Sequence, residues 1–408
     1  MALTKEFDPL DNIFSKALTD NKFFINRTVL RSDYVPNHLP FRQEQIRNMG
    51  QLLSPILTFS KPSNLLVYGK TGTGKTAVTR YVISKLSTKC TSESIKATFV
   101  YCNTRLAGTE YRILSELASN LGLKIPFTGL ALNEVLSRLQ SFMKKERIHA
   151  IFVLDEIDFL ARSFGDDLLY DLTSSSDKIE PGFLSLIGIS NDLQFKEELG
   201  ARVQSRLSEE EIVFPPYSTS ELKTILVERA ALAFNKDSFT EEAVNLCAAL
   251  SGSEHGDARR AVDLLRISGE VAEREEAPTL EERHVRIALQ KIDQDRISDA
   301  LKTLPLHAKL VLLASMNTEK IASDNPSRAS SGAVYERYTQ LCSRSGVDPL
   351  TTRRISGLLT ELDMLGLISA KVINYGRYGR TKKITPQISL PTIQQAFSTD
   401  ESLKHLLL

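Results

Sequence analysis

Gly69-Lys70-Thr71-Gly72-Thr73-Gly74-Lys75-Thr76 puts three glycines, a lysine and a hydroxyl within one short segment, in the pattern G-x-x-x-x-G-K-[ST]. Glycines let a backbone curl until successive N–H groups face a common centre, a shape that a Cβ obstructs. Such a centre suits phosphate oxygens. A helix beginning at Lys75 adds the positive end of its dipole at the same point. Gly69, Thr71, Gly72, Thr73, Gly74 and Ala77 then form a cradle from which Lys75 reaches β- and γ-phosphates and the Thr76 hydroxyl meets Mg²⁺. The chemistry read here is binding of ATP or ADP with Mg²⁺.

A metal held by phosphates also needs an acid beside it. The stretch AIFVLDEIDFL, Ala150 to Leu160, is an apolar run closed by Asp155 and Glu156. Asp155 is the expected metal-side acid, through water, and Glu156 the group that polarises an attacking water. FLSLIGISND ends in Asn191 and Asp192, which puts Asn191 where a sensor of the γ-phosphate belongs.

These residues must be carried by strands. Leu65 to Tyr68 is a short apolar run just ahead of the loop, and ATFVYCN ends at Asn103. Continuous apolar runs that alternate with helical stretches predict a parallel α/β sheet buried on both faces, with function at the strands' carboxyl ends. Helical periodicity over Glu221 to Phe234 and Thr240 to Leu250 predicts a small helical lid.

Composition sets the outer bounds. The 408 residues allow two or three domains, and 42% hydrophobic with 25% charged residues is ordinary for a globular protein. No apolar run approaches the roughly 20 residues that span a bilayer. The first residues carry acids and no apolar signal core, so a cytoplasmic location is expected. Cys90, Cys102, Cys247 and Cys342 lack any metal or disulfide spacing and read as free thiols. The net charge of +1 hides an asymmetry: residues 300–408 hold 14 Lys+Arg against 8 Asp+Glu, and the remainder 37 against 42. A net of +6 on the last quarter, against −5 elsewhere, suggests an anionic partner for one domain.

Taken in order, Lys75, Asp155-Glu156 and Asn191 resemble the AAA+ ATPases. ARVQSRLSEEEIVFPPYSTSEL places Arg202 and Arg206 ahead of a short strand, where that superfamily carries its arginine finger. HGDARRAVDLLR places Gly256-Asp257-Ala258-Arg259 at a helix start, similar to the sensor-2 motif, so Arg259 is expected to reach phosphate from the lid. The 80 residues from Lys75 to Asp155 leave room for an insertion, and Thr104 to Gly122 reads as the added helix of replication initiators. DYVPNHLPFRQEQI resembles the segment that lines the adenine pocket in the archaeal and eukaryotic origin-recognition family, at Pro36, Arg42 and Gln45. The long N-terminal regions usual in the eukaryotic members are absent, which favours an archaeal single-chain initiator.

The basic last quarter reads as a winged helix. After Ile292 a polar stretch, DQDRISDA, is expected to link to three helices, the third starting at Thr351-Thr352 and ending at Gly366. Ile355, Leu358, Leu359, Leu362 and Leu365 form its apolar stripe, leaving Thr352, Arg353, Ser356 and Thr360 outward. A hairpin follows, two strand-like stretches around a glycine-punctuated tip that carries Arg377, Arg380, Lys382 and Lys383. A third helix and a basic wing of this kind suit the grooves and phosphates of duplex DNA.

The boundaries expected are 1–216 for the AAA+ domain, 217–295 for the lid and 296–408 for the winged helix. The resemblance implies a slow ATPase that recognises and deforms double-stranded origin DNA through the wing, the third helix and the insert (Arg105 or Arg112). It further implies a nucleoid-associated location, with a replicative helicase and initiator paralogues as partners. A clamp-loader-like ATPase, a signalling ATPase whose winged helix binds protein, and a DNA-binding regulator with a decayed ATPase are the alternatives.

Overall fold

The computed structural model describes residues 23–126, 128–253, 256–322, 330–374, 380–398, 400 and 403. Met1–Ile287 and Ala288–Leu408 form two compact units, the first taking in the expected AAA+ domain and most of the expected lid.

The first unit is built on five parallel strands: β1 (Leu65–Tyr68), β2 (Ala97–Asn103), β3 (His149–Asp155), β4 (Phe183–Ser190) and β5 (Glu210–Val213). Their order is β2-β3-β4-β1-β5: the chain crosses from β1 to the edge strand β2, returns through β3 and β4 and ends on the other side of β1. So β1 is interior and its loop lies at the carboxyl ends of the strands, where open α/β sheets bind ligands. Alternate residues of one strand feed opposite cores. Phe152 and Leu154 pack with Leu114, Leu139 and Leu172 on one face. Ile151 and Val153 pack with Val78, Ile187 and Phe214 on the other. This double burial is why β3 and β4 read as unbroken apolar runs.

The insertion after β2 is two helices rather than one, Thr104–Ala107 and Glu110–Asn120. Gly108 breaks it at φ +75°, and Thr109 restarts it by accepting the Arg112 N–H. Such a cap is worth about 1 kcal/mol, and periodicity alone did not reveal it. Beyond β5 the lid supplies Thr219–Ala233, Glu241–Ser253 and Ala258–Arg274, the first opened by a Ser218/Glu221 capping box. The expected linker after Ile292 is instead part of a continuous helix, Glu282–Thr303. Its polar run contains neither Gly nor Pro, so nothing in it stops a helix.

The second unit holds helices Leu306–Ala322, Ser331–Ser345 and Thr352–Met364, an antiparallel pair β6 (Ile368–Asn374) and β7 (Arg380–Pro386), and a last helix, Leu390–Phe397. Tyr338 and Phe397 are among its fully buried core residues. Ile355, Leu358, Leu359 and Leu362 join that core, but Leu365 does not. It sits at the C-cap, 52% exposed, because Gly366 at φ +70° has already turned the chain away.

No described helix is long and apolar enough to cross a membrane. All four cysteines are free and buried.

Candidate functional site

The loop after β1 curls around the first turn of Lys75–Ser92, beneath a cavity of about 380 Å³. Gly72 (φ +72°) and Gly74 (φ +92°) stand in the left-handed region. A Cβ on Gly72 would lie 1.7 Å from Asp257 Oδ1, and one on Gly74 2.9 Å from the Tyr217 hydroxyl. Both positions therefore need glycine for space as well as for φ. Lys75 is buried, its ammonium donating to the carbonyls of Gly69 (2.7 Å) and Lys70 (2.8 Å). Burial is the largest influence on that ammonium and lowers its pKa to about 8; Asp155 opposes the shift, and Arg259 adds to it.

Gly72, Gly74, Lys75, Thr76, Ala77, Asn191, Arg259 and Pro36 all line this cavity. Gly69, Thr71 and Thr73 do not. The Gly69 carbonyl tethers Lys75 from behind, and the buried Thr73 hydroxyl donates to the Lys70 carbonyl at 2.8 Å. Thr76 Oγ1 donates to Asp155 Oδ2 at 2.8 Å, uniting the two residues singled out for a metal. Hydroxyl and carboxylate are hard oxygen donors, the chemistry that suits Mg²⁺ shared with phosphates. Among the described residues no cluster of three or more His, Cys, Asp or Glu offers a self-sufficient metal cage.

Glu156 stands beside this pair with φ +56°, a left-handed conformation that costs a non-glycine residue about 1–2 kcal/mol. Three consecutive residues, the last of β2 and the first two of the insert, hold it. Asn103 Nδ2 donates to Oε1 at 3.1 Å, the Thr104 hydroxyl to its carbonyl at 2.6 Å, and Arg105 lies 3.5 Å from Oε2. Asn103 Oδ1 also caps the Thr104–Ala107 turn through the Leu106 N–H, so one side chain bonds both the insert and the acid. Asn191 follows β4, its N–H 3.4 Å from Asp158 Oδ1.

Arg42 and Gln45 are corrected. Arg42 lies behind the phosphate loop, 2% exposed, and does not line the cavity. Its guanidinium donates to the carbonyls of Thr73 (3.0 Å), Phe41 (3.0 Å) and Pro215 (2.7 Å) and rests 3.7 Å from the Tyr217 ring centre. It staples the loop to the chain leaving β5. Gln45, one turn into Gln43–Leu53, does not line the cavity either. The walls come instead from residues 31–40 and, on the lid helix Thr219–Ala233, from Ile225, Glu228, Arg229 and Leu232. Arg229 sits 4.7 Å from the Tyr34 ring centre and donates to the Val29 carbonyl at 2.9 Å, tying the N-terminal wall to the lid. The lid helix looked like ordinary amphipathic core in the sequence, so its pocket role carried no separate signal.

Arg202 and Arg206, on Ala201–Leu207, stay outside the cavity. Arg206 lies 5.7 Å from the Tyr170 ring centre, and Arg202 is exposed. Arg259 is on the first turn of Ala258–Arg274, whose Asp257 cap accepts the Arg260 N–H.

In the second unit, Thr352, Arg353, Ser356 and Thr360 are exposed on one helix. Thr351 occupies the cap position but makes no side-chain cap bond. Lys382 donates to Thr360 Oγ1 at 3.0 Å and so ties wing to helix. Lys383 is exposed, opposite Lys371 in the strand register. The backbone of Arg380 opens β7, and Arg377 falls outside the described residues.

Three family models cover most of the chain: an AAA domain over residues 58–194, the Cdc6 AAA+ ATPase-type lid over 223–290, and the CDC6 C-terminal winged helix domain over 299–396. The chain is 46% identical over 394 residues to the ORC1-type DNA replication protein 1 of Sulfurisphaera tokodaii, covering 96% of this chain and 97% of that one. The chain belongs to the ORC1-type DNA replication proteins. An Aeropyrum pernix ORC1 protein, solved in complex with DNA, is 44% identical, with a TM-score of 0.81 over 95% of this chain and 100% of that one. Cdc6p of Pyrobaculum aerophilum, at 24% identity and a TM-score of 0.60 over 95% of this chain and 100% of that one, shares the fold. The AAA+ module, lid and winged helix of the origin-recognition architecture are thus all present in this ORC1-type chain.

Proposed function

We propose that the protein is an ATP-dependent replication initiator that grips duplex DNA at an origin and uses slow ATP hydrolysis as a timing switch. Phosphates arriving in the cavity offer Lys75 better partners than the Gly69 and Lys70 carbonyls it now engages. Thr76 and Asp155 would hold Mg²⁺, which when bound neutralises charge on the β- and γ-oxygens. Glu156 polarises the attacking water once it leaves Asn103 and Arg105, and its present engagement fits a low basal rate. Asn191 and Arg259 approach phosphate from β4 and the lid. Arg206, or Arg202 beside it, is left for the nucleotide of a neighbouring copy.

The exposed face of Thr352, Arg353 and Ser356 enters a groove while Arg377, Arg380, Lys382 and Lys383 grip phosphates from the wing. The insert adds a second contact through Arg105 or Arg112. Two separated contacts bend or underwind the duplex at a cost of a few kcal/mol, which the added contacts offset. Recruitment of a replicative helicase or of paralogues would follow, by family analogy.

The observation that carries this reading is the exposed polar helix bonded to a lysine-bearing wing, in a chain similar throughout to an ORC1 protein solved on DNA. Duplex binding across a salt series tests it, with origin and random sequences. Arg377→Ala/Arg380→Ala should weaken binding and reduce the slope of log K against log salt by about 0.9 for each phosphate no longer neutralised. Unaltered affinity and slope would assign the winged helix to protein contacts instead.

A further inference from the structure

Tyr101 lies on β2 opposite Val153 of β3 and sends its hydroxyl to Asp155 Oδ2 at 2.6 Å. The same oxygen accepts Thr76 Oγ1, while Oδ1 accepts the Glu156 N–H at 2.9 Å. Three of the roughly four acceptor positions of the carboxylate are therefore engaged. The two hydroxyls hold the carboxylate from different elements: Thr76 from the phosphate loop, Tyr101 from the neighbouring strand. Tyr101 is itself held. The Arg80 guanidinium, on a cavity-lining residue of Lys75–Ser92, sits 4.2 Å from its ring centre.

We propose that Tyr101 is a positioning residue for the metal site, holding the Asp155 carboxylate in the one orientation that leaves a single acceptor position for a Mg²⁺-bound water. This rests on the reading of Asp155 as the metal-side acid. A phenol suits the task better than a second carboxylate or a lysine. It donates one hydrogen bond without adding charge. Without that bond, Asp155 keeps the Thr76 hydroxyl and the Glu156 N–H but loses its hold from the neighbouring strand, while the electrostatic pull of the Lys75 ammonium remains. Partners of this kind behind a metal ligand typically change metal affinity 10- to 100-fold, and at least the lower figure, about 10-fold, is expected here.

The test uses the full chain and its Tyr101→Phe variant, which keeps the ring under Arg80 and removes only the hydroxyl. Binding of a fluorescent ADP is titrated with Mg²⁺, and separately measured in EDTA. The expected result is a Mg²⁺ midpoint raised about 10-fold, with unchanged ADP affinity in EDTA. An unchanged or lowered midpoint overturns the proposal. So does an equal loss of ADP affinity in EDTA, which would make Tyr101 a packing residue. If wild type itself shows no Mg²⁺ dependence, the metal reading of Asp155 falls first and takes the proposal with it.

Discussion

Replacing Arg42 by methionine separates a structural staple from a base-reading residue. Methionine matches much of the arginine stem's volume but donates nothing, so the carbonyls of Thr73 and Pro215 lose their guanidinium partner. Each buried acceptor left without a donor costs about 1–3 kcal/mol. The stacked contact with Tyr217 is worth about 1 kcal/mol more. Against this, burial already works against the guanidinium, lowering its pKa, and that penalty disappears with the charge. The net loss should be about 2–5 kcal/mol, which for a unit of this size lowers the melting temperature by roughly 5–10 °C. Because the staple sets the phosphate loop and not the base pocket, ATP and GTP affinities should fall by the same factor. Calorimetric melting and competition binding with the two nucleotides check both parts. An Arg42→Met protein that melts like wild type but discriminates less between ATP and GTP would refute the argument and restore Arg42 to the adenine wall.

Three further outcomes follow from the same site. Lys75 titrates at about 8 in the nucleotide-free protein, below its ordinary value of 10.5, so the folded chain binds fewer protons than the unfolded chain between those values. Stability of the nucleotide-free protein should accordingly rise as pH climbs from about 8 toward 10.5, the burial penalty being fully present below that window. Phosphate restores the charge, so nucleotide binding above pH 8 should take up a proton, visible by calorimetry in buffers of different ionisation enthalpy; no uptake would rule out Lys75 as the titrating group. Glu156→Gln should reduce hydrolysis by about 10²- to 10⁴-fold while nucleotide affinity stays near wild type, as expected for loss of a group that activates water. Single-turnover hydrolysis measures it, and an unchanged rate would move that role elsewhere.

What the sequence disclosed depended on how local the determinants are. The glycine-rich loop after β1, β3 with its two closing acids and the helix capped by Asp257 were legible as elements because each is a contiguous segment. The third helix of the winged unit was legible for the same reason, down to the exposed Thr352, Arg353 and Ser356. Errors arose where the meaning of a residue is fixed by a distant partner. Arg42 became a staple only because Tyr217 and Pro215 return to it from the far side of β5. Tyr101 reads as any strand tyrosine until β2 is laid against β3. The insert and the stripe on the third helix failed differently: Gly108, in the left-handed region, broke the insert into two helices, and Leu365, on the stripe by its spacing, falls at the C-cap beside Gly366 and outside the core.

The close approach of Asp257 to Gly72 bears on how long a nucleotide stays. The Ala258 N–H donates to the Gly72 carbonyl at 3.1 Å, so the lid's sensor helix is stitched directly to the phosphate loop. Under the proposed function, a lid that swings clear of the loop must first break that bond, a net cost of about 1 kcal/mol. On that reading, nucleotide exchange would include an opening step inside the protein besides release of the base. Such a step would lengthen occupancy without raising affinity, as the proposed timing switch requires.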